Sequence, residues 1–166
     1  MKGQSNYIDF VIALGIFLII LFLFIIYNHS QSQDYLIADE ALMISDALMS
    51  EGIPVDWNTT HYYRPGIMSN GLLDEAKWES FHNIMELNPE DTRRLYTIAS
   101  DFIIRIGYYN NNAYNNITIN NISHITTDPA ISPDTLPQIS SERIDRIERI
   151  IAYNGSLYVM EVIAWR

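Results

Sequence analysis

Cysteine is absent from the 166 residues, and with it go disulfides, thiolate zinc sites, iron–sulfur clusters and a cysteine nucleophile. Positive charge is scarce: 10 basic side chains stand against 20 acidic ones, a formal net charge of −10. That balance argues against a nucleic-acid partner, because phosphate binding needs clustered Lys and Arg. It argues equally against docking on anionic lipid through a basic patch. Motifs that carry chemistry are missing too. The four histidines, His29, His61, His82 and His124, form no His-x-x-x-His pair, the spacing that sets two ligands on one helix face. His82 with Glu79 and Glu86 comes closest to a ligand set, but an acid-flanked helical His reads as a solvated face. There is no Gly-x-Ser-x-Gly, no phosphate-cradling glycine loop and no Asp-rich calcium loop. No metal, no cofactor and no enzymatic activity are expected.

Charge of either sign is also missing from Phe10 to Tyr27, where the only polar side-chain group is the Tyr27 hydroxyl. The overall mean hydropathy is close to zero, so this block conceals a polar remainder. As a helix the block covers about 27 Å, against a bilayer hydrocarbon core of about 30 Å. A buried core helix is the bland alternative, but a chain this small rarely encloses a helix apolar on every side. A cleaved secretory signal needs a small-residue site after the block, and Asn28-His29-Ser30-Gln31-Ser32-Gln33-Asp34 holds no Ala-x-Ala. Lys2 precedes the block, and the next basic side chains are Arg64 and Lys77. The positive-inside rule then predicts a single-pass protein of the cell membrane, with a cytoplasmic N-terminus and an extracellular head. Tyr7 and Tyr27 stand at the two ends, where aromatic rings favour the interface. Asn-x-Ser/Thr sequons at Asn28, Asn58, Asn116, Asn121 and Asn154 are candidate glycosylation sites on such a head. Asp9, at the edge of the apolar block, either reaches interfacial water or pairs with the N-terminus of a neighbouring subunit.

The segment Met1-Lys2-Gly3-Gln4-Ser5-Asn6-Tyr7-Ile8-Asp9-Phe10, running straight into the apolar helix, resembles the class III signal peptides of archaeal type IV pilins and pilin-like proteins. The resemblance implies cleavage between Gly3 and Gln4 by a prepilin peptidase. It also implies retention of the apolar helix for assembly, with Asp9 standing in for the acidic residue near the mature N-terminus. The family's Ser and Glu at the third and fifth mature positions are Asn6 and Ile8 here, with Ser5 and Asp9 displaced. Gly52-Ile53-Pro54-Val55-Asp56-Trp57, Gly71-Leu72-Leu73-Asp74-Glu75-Ala76-Lys77 and Tyr153-Asn154-Gly155 before Trp165 are similar to the layout of pilin-like surface proteins. The implied function is a structural subunit or minor component of a cell-surface filament, whose partners are membrane lipid and other pilin-like subunits. The alternative is an uncleaved single-pass surface protein whose head binds a ligand or partner.

The expected fold is α+β: a long N-terminal transmembrane or spine helix, then a small head of helices and antiparallel strands. Residues 1–30 form the leader remnant and membrane helix, and 31–166 the head. Within the head, 34–50 reads as a helix with Leu36, Ile37, Met43, Ile44, Ala47 and Leu48 near one face. It either continues the membrane helix or hinges at 28–33, where weaker helix formers cluster. A helix beginning at Asp74 carries the apolar stripe Trp78, Phe81 and Met85. Asn88-Pro89-Glu90-Asp91 signals the start of another, expected to reach about Ser100 and bury Leu95, Ile98 and Ala99. Alternation from Phe102 predicts a strand, the Asn-rich stretch 108–123 an exposed hairpin or loop, and the proline-bearing stretch 128–138 an extended loop. Residues 147–153, Asn154-Gly155 and 157–165 read as a hairpin with a type I′ turn. Its last strand is apolar on both faces, hence central and covered on both sides, by the long helix on one. Ser141–Asp145 either caps a short helix or leads into that hairpin.

Overall fold

A computed structural model describes residues 2–58, 63–133, 135 and 144–166, with backbone alone at 2–9 and 28–36. The chain is α+β. One long helix, α1 (Lys2–Leu48), is followed by β1 (Met68–Ser69), β2 (Leu72–Leu73), α2 (Glu75–Leu87) and α3 (Pro89–Tyr96). The strands β3 (Asp101–Asn110), β4 (Ala113–Asn116), β5 (His124–Thr126), β6 (Ile144–Tyr153) and β7 (Ser156–Trp165) complete it. Two compact units result, Met1–Leu36 and Ile37–Arg166. The backbone at 28–33 is helical and belongs to α1.

In the second unit an antiparallel sheet has the strand order β4-β3-β7-β6, with β5 also pairing β3. β7 is therefore central, as expected, but its odd-numbered face is not wholly apolar, because Glu161 interrupts it. Even-numbered residues Phe102, Ile104 and Ile106 of β3 and Met160, Val162 and Ala164 of β7 share one buried cluster with three groups of helical residues. These are Ile37, Ala41, Ile44, Ala47 and Leu48 of α1, Trp78, Phe81 and Met85 of α2, and Tyr96 of α3. On the opposite face Ile103, Ile163 and Trp165 form a smaller cluster beneath Ile131, in the proline-bearing loop.

Asparagine builds the turns. Among the described residues, six of the seven non-glycine residues with positive φ are Asn, at 70, 111, 112, 120, 121 and 154. Asn70-Gly71, Asn111-Asn112, Asn120-Asn121 and Asn154-Gly155 each close a two-residue reversal, the third of them between the bridged pair Ile119 and Ile122. Such turns need left-handed backbone at both central residues, which Asn and Gly tolerate best. The stretch 108–123 is thus two tight reversals, and its Ile119 is buried.

Several boundaries differ from the expectation. α3 stops at Tyr96 because Thr97 turns left-handed (φ 57°) and its N–H closes on Arg93 and Arg94 carbonyls. Ile98 is buried as expected, but Ala99 is exposed and Leu95 half-buried. The Asn88 side chain makes no capping bond. Met43 is exposed, and Ala41 and Ser45 take the buried positions of α1 instead. β6 begins at Ile144, so Ile144 and Asp145 are strand and start no helix; residues 141–143 lie outside the described residues.

Candidate membrane segment and head surfaces

Within α1 the described side chains of Phe10 to Tyr27 are all solvent-facing, and none of this stretch is buried in the chain. It is the one described helix long and apolar enough to cross a membrane. Large apolar side chains normally leave water, at roughly 25 cal/mol per Å² of surface, so by length and composition this stretch could lie in a membrane. The resemblance residues Gly3, Gln4 and Asp9 lie in the first turns of α1, with side chains outside the described residues, as is that of Asn28. Of the remaining sequons, Asn116, Asn121 and Asn154 are exposed and Asn58 is half-buried. Asn116 ends β4, paired with Gly107, and Asn121 and Asn154 occupy turns. Exposed, turn-borne Asn is accessible to modification, but turn geometry already accounts for Asn121 and Asn154.

His82 and His124 line a groove of about 310 Å³ between α2 and β5. His82 Nδ1 lies 4.0 Å from Glu86 Oε2, and His124 Nδ1 lies 3.0 Å from Ser123 Oγ. Glu79, in contrast, accepts from Asn120 Nδ2 at 3.3 Å. Among the described residues no three His, Cys, Asp or Glu side chains gather to hold a metal ion. His61 is outside the described residues, and the His29 side chain is too.

A polar cluster that the sequence reading missed occupies the sheet face that carries the odd-numbered side chains of β3 and β7. The register sets Arg105 opposite Glu161 and Glu161 opposite Glu148. Arg105 Nε and Nη2 each lie 2.6 Å from Glu161 Oε2, whose side chain is fully buried. Arg146 Nη1 stands 3.6 Å from Glu161 Oε1. The Tyr109 hydroxyl reaches both Glu148 Oε1 (2.7 Å) and Glu161 Oε1 (2.8 Å), placing one phenol proton between two like charges. Those two hydrogen bonds, Glu148 first, push the Tyr109 phenol up to about 12. Arg105 also lies 4.2 Å from the Tyr114 ring centroid, a cation–π contact. Burial, then the Glu161 charge, raises the Tyr114 phenol well above its usual value. Gly107 leaves the space: a Cβ there would collide with the Asn115 carbonyl and the Tyr114 ring. Every charge in the cluster already has a partner, which suits it to holding β3, β7 and β6 in register.

Lys77 is the second missed residue. It is buried, and its Nζ donates to the carbonyls of Glu51 (2.7 Å) and Met68 (3.0 Å). It thereby ties the chain leaving α1 to β1. The cap residue Asp74 accepts from Ala76 N (3.0 Å), Lys77 N (3.1 Å) and Ser69 Oγ (2.8 Å). Partial burial alone would raise the Asp74 carboxyl, but those bonds and the Lys77 charge outweigh it and hold the group below its ordinary value. Glu40 of α1 receives the Ala99 and Ser100 N–H groups (3.2 and 2.9 Å) and Arg166 Nη2 (3.2 Å). No signal in the sequence pairs residues that far apart.

No protein-family model, curated protein or solved structure matches this chain.

Proposed function

We propose that this chain is a structural, non-catalytic subunit of a pilin-like cell-surface assembly, anchored by Phe10–Tyr27 before assembly and packed against neighbouring subunits through the same segment afterwards. The observation that supports the reading is the exposure of the uncharged segment of α1 on every side, beside an Ile37–Leu48 end that contributes to the core of the head. Among the described residues the segment is uncovered, so membrane lipid first and identical helices later are its natural surroundings. In this reading a prepilin peptidase cuts between Gly3 and Gln4. Asp9 then neutralises the new α-amino group of a neighbour, which favours one register of helix packing. The head faces outward and is available for glycosylation at its exposed sequons.

Mass spectrometry of the native protein recovered from membranes tests this directly. Gln4 as first residue is expected; an intact Met1 or Lys2 start overturns the processing step. Asp9→Ala is expected to insert normally and lose assembly.

The second reading, an uncleaved surface protein whose head takes a ligand, is favoured by the groove beside His82 and His124. It predicts an intact N-terminus and surface filaments that survive deletion of the gene.

A further inference from the structure

β6 ends the sheet, and among the described residues no strand pairs with its outer edge. It matches β7 over ten consecutive pairs, without bulge or proline. Sheet edges this long and regular invite another chain unless something blunts them. Tyr153 and Ser156 close the two-residue turn, so odd-numbered residues of β6 bond to β7. The N–H and C=O groups of Ile144, Arg146, Glu148 and Ile150 therefore point to the open edge. Ile144 and Ile150 are 47% and 70% exposed.

The sequence of this edge is complementary to itself. Ile144-Asp145-Arg146-Ile147-Glu148-Arg149-Ile150, laid antiparallel on a second copy about Ile147, sets Asp145 opposite Arg149 and Arg146 opposite Glu148. Ile144 then meets Ile150, and Ile147 meets its own copy. Every charge faces its opposite and every isoleucine an isoleucine. Outward-pointing residues also face outward-pointing residues, as ladder bonds require. Centring the pair on Arg146 or Glu148 instead sets like charges face to face and charges against isoleucine, which is unfavourable. We infer that β6 is an interface between two copies of this chain, forming one continuous antiparallel sheet across a two-fold axis at Ile147. The inference is independent of leader cleavage and of packing through the apolar helix.

The chain lacks cysteine, so single cysteines report the register in the full-length protein held in detergent micelles. Ile147→Cys sits at a non-hydrogen-bonded pair, about 4.5 Å between Cα atoms, inside disulfide range. Mild oxidation is expected to convert most of it to covalent dimer. Ile150→Cys, though more exposed, is expected to stay monomeric, because its copy lies six residues along the strand, about 20 Å away. Equal cross-linking of both variants overturns the proposal. Should Ile147→Cys, half-buried beside the core, fail to fold, Ile144→Cys/Ile150→Cys decides: covalent dimer supports the register and monomer overturns it. Arg149 Nη2 also holds Asp46 Oδ1 of its own chain at 2.7 Å. Asp145→Arg is expected to weaken the dimer roughly tenfold, and adding Arg149→Asp together with Asp46→Arg, which keeps that internal pair, to restore it. An unchanged single variant, or no recovery in the triple, overturns the interface.

Discussion

Arg105 and Glu161 meet across the β3–β7 ladder, with two guanidinium nitrogens 2.6 Å from one carboxylate oxygen and the Glu161 side chain fully buried. Removing one member of such a pair leaves a buried charge without its partner and costs about 3–5 kcal/mol, whereas apolar replacement of both is often near neutral. Arg105→Met alone is expected to fall in that range by urea denaturation in micelles. Arg105→Met/Glu161→Leu should recover most of the loss. Equal loss in single and double variants would mean that packing, not charge, holds the site.

The same cluster predicts an alkaline transition. The Tyr109 phenol is raised to about 12 against about 10 in an unfolded chain. A raised acid group stabilises the fold below its unfolded value, and that contribution is lost as pH rises from about 10 towards 12. Tyr109→Phe is expected to remove this part of the pH dependence between those limits, read from denaturation midpoints. A wild-type profile identical to the variant's would sink the assignment.

Asp74 predicts the opposite limb. Its folded value is depressed, so its contribution is complete above the unfolded value, about 3.9, and is lost as pH falls through the folded one. At neutral pH, Asp74→Ala removes the α2 cap and should cost about 1 kcal/mol. The penalty should shrink in acid, where the wild type loses the same bonds; a penalty constant with pH would count against the carboxylate's role.

Gly107→Ala is expected to cost about 2 kcal/mol, in the range of overpacking, because the added methyl meets the backbone of Asn115 and not only the movable Tyr114 ring. Tyr114→Ala on that background should recover little if the backbone clash dominates. Thermal denaturation of the pair reads the outcome.

In the apolar segment, Leu18→Arg with Leu21→Arg should abolish retention in carbonate-washed membranes, since each charge at mid-span costs about 3 kcal/mol. Retention of the doubly charged variant would remove the anchor reading.

What the sequence disclosed was local. Phe10–Tyr27, the helix start near Asp74, the Trp78–Phe81–Met85 stripe and the Asn154-Gly155 hairpin each rest on near neighbours, and periodicity or turn chemistry exposes them. The limit of α3 at Tyr96 was hidden because Thr97, a poor left-handed residue by type, is turned by tertiary context. Asn111-Asn112 and Asn120-Asn121 belonged to the same turn chemistry as Asn154-Gly155, but their crowding in an Asn-rich run masked the pairs. Glu161 and Lys77 were illegible for a different reason. One charge amid apolar residues looks solvent-facing until its partners, Arg105 and Tyr109 or the Glu51 and Met68 carbonyls, arrive from distant parts of the chain. The filament reading rests on the N-terminal resemblance and the bare apolar segment, and the cleavage site decides it.

β7 is both the central strand of the sheet and the one that follows all the others along the chain. Neither β3 nor β6 has its main partner until residues 156–165 have been made. At ordinary rates of synthesis this comes on the order of ten seconds after the apolar segment has left the ribosome. The apolar segment is therefore complete while the sheet is still unpaired. Until that strand is made, the buried residues of β3 and the whole of β6 lack their ladder partners, so the sheet closes in one late step.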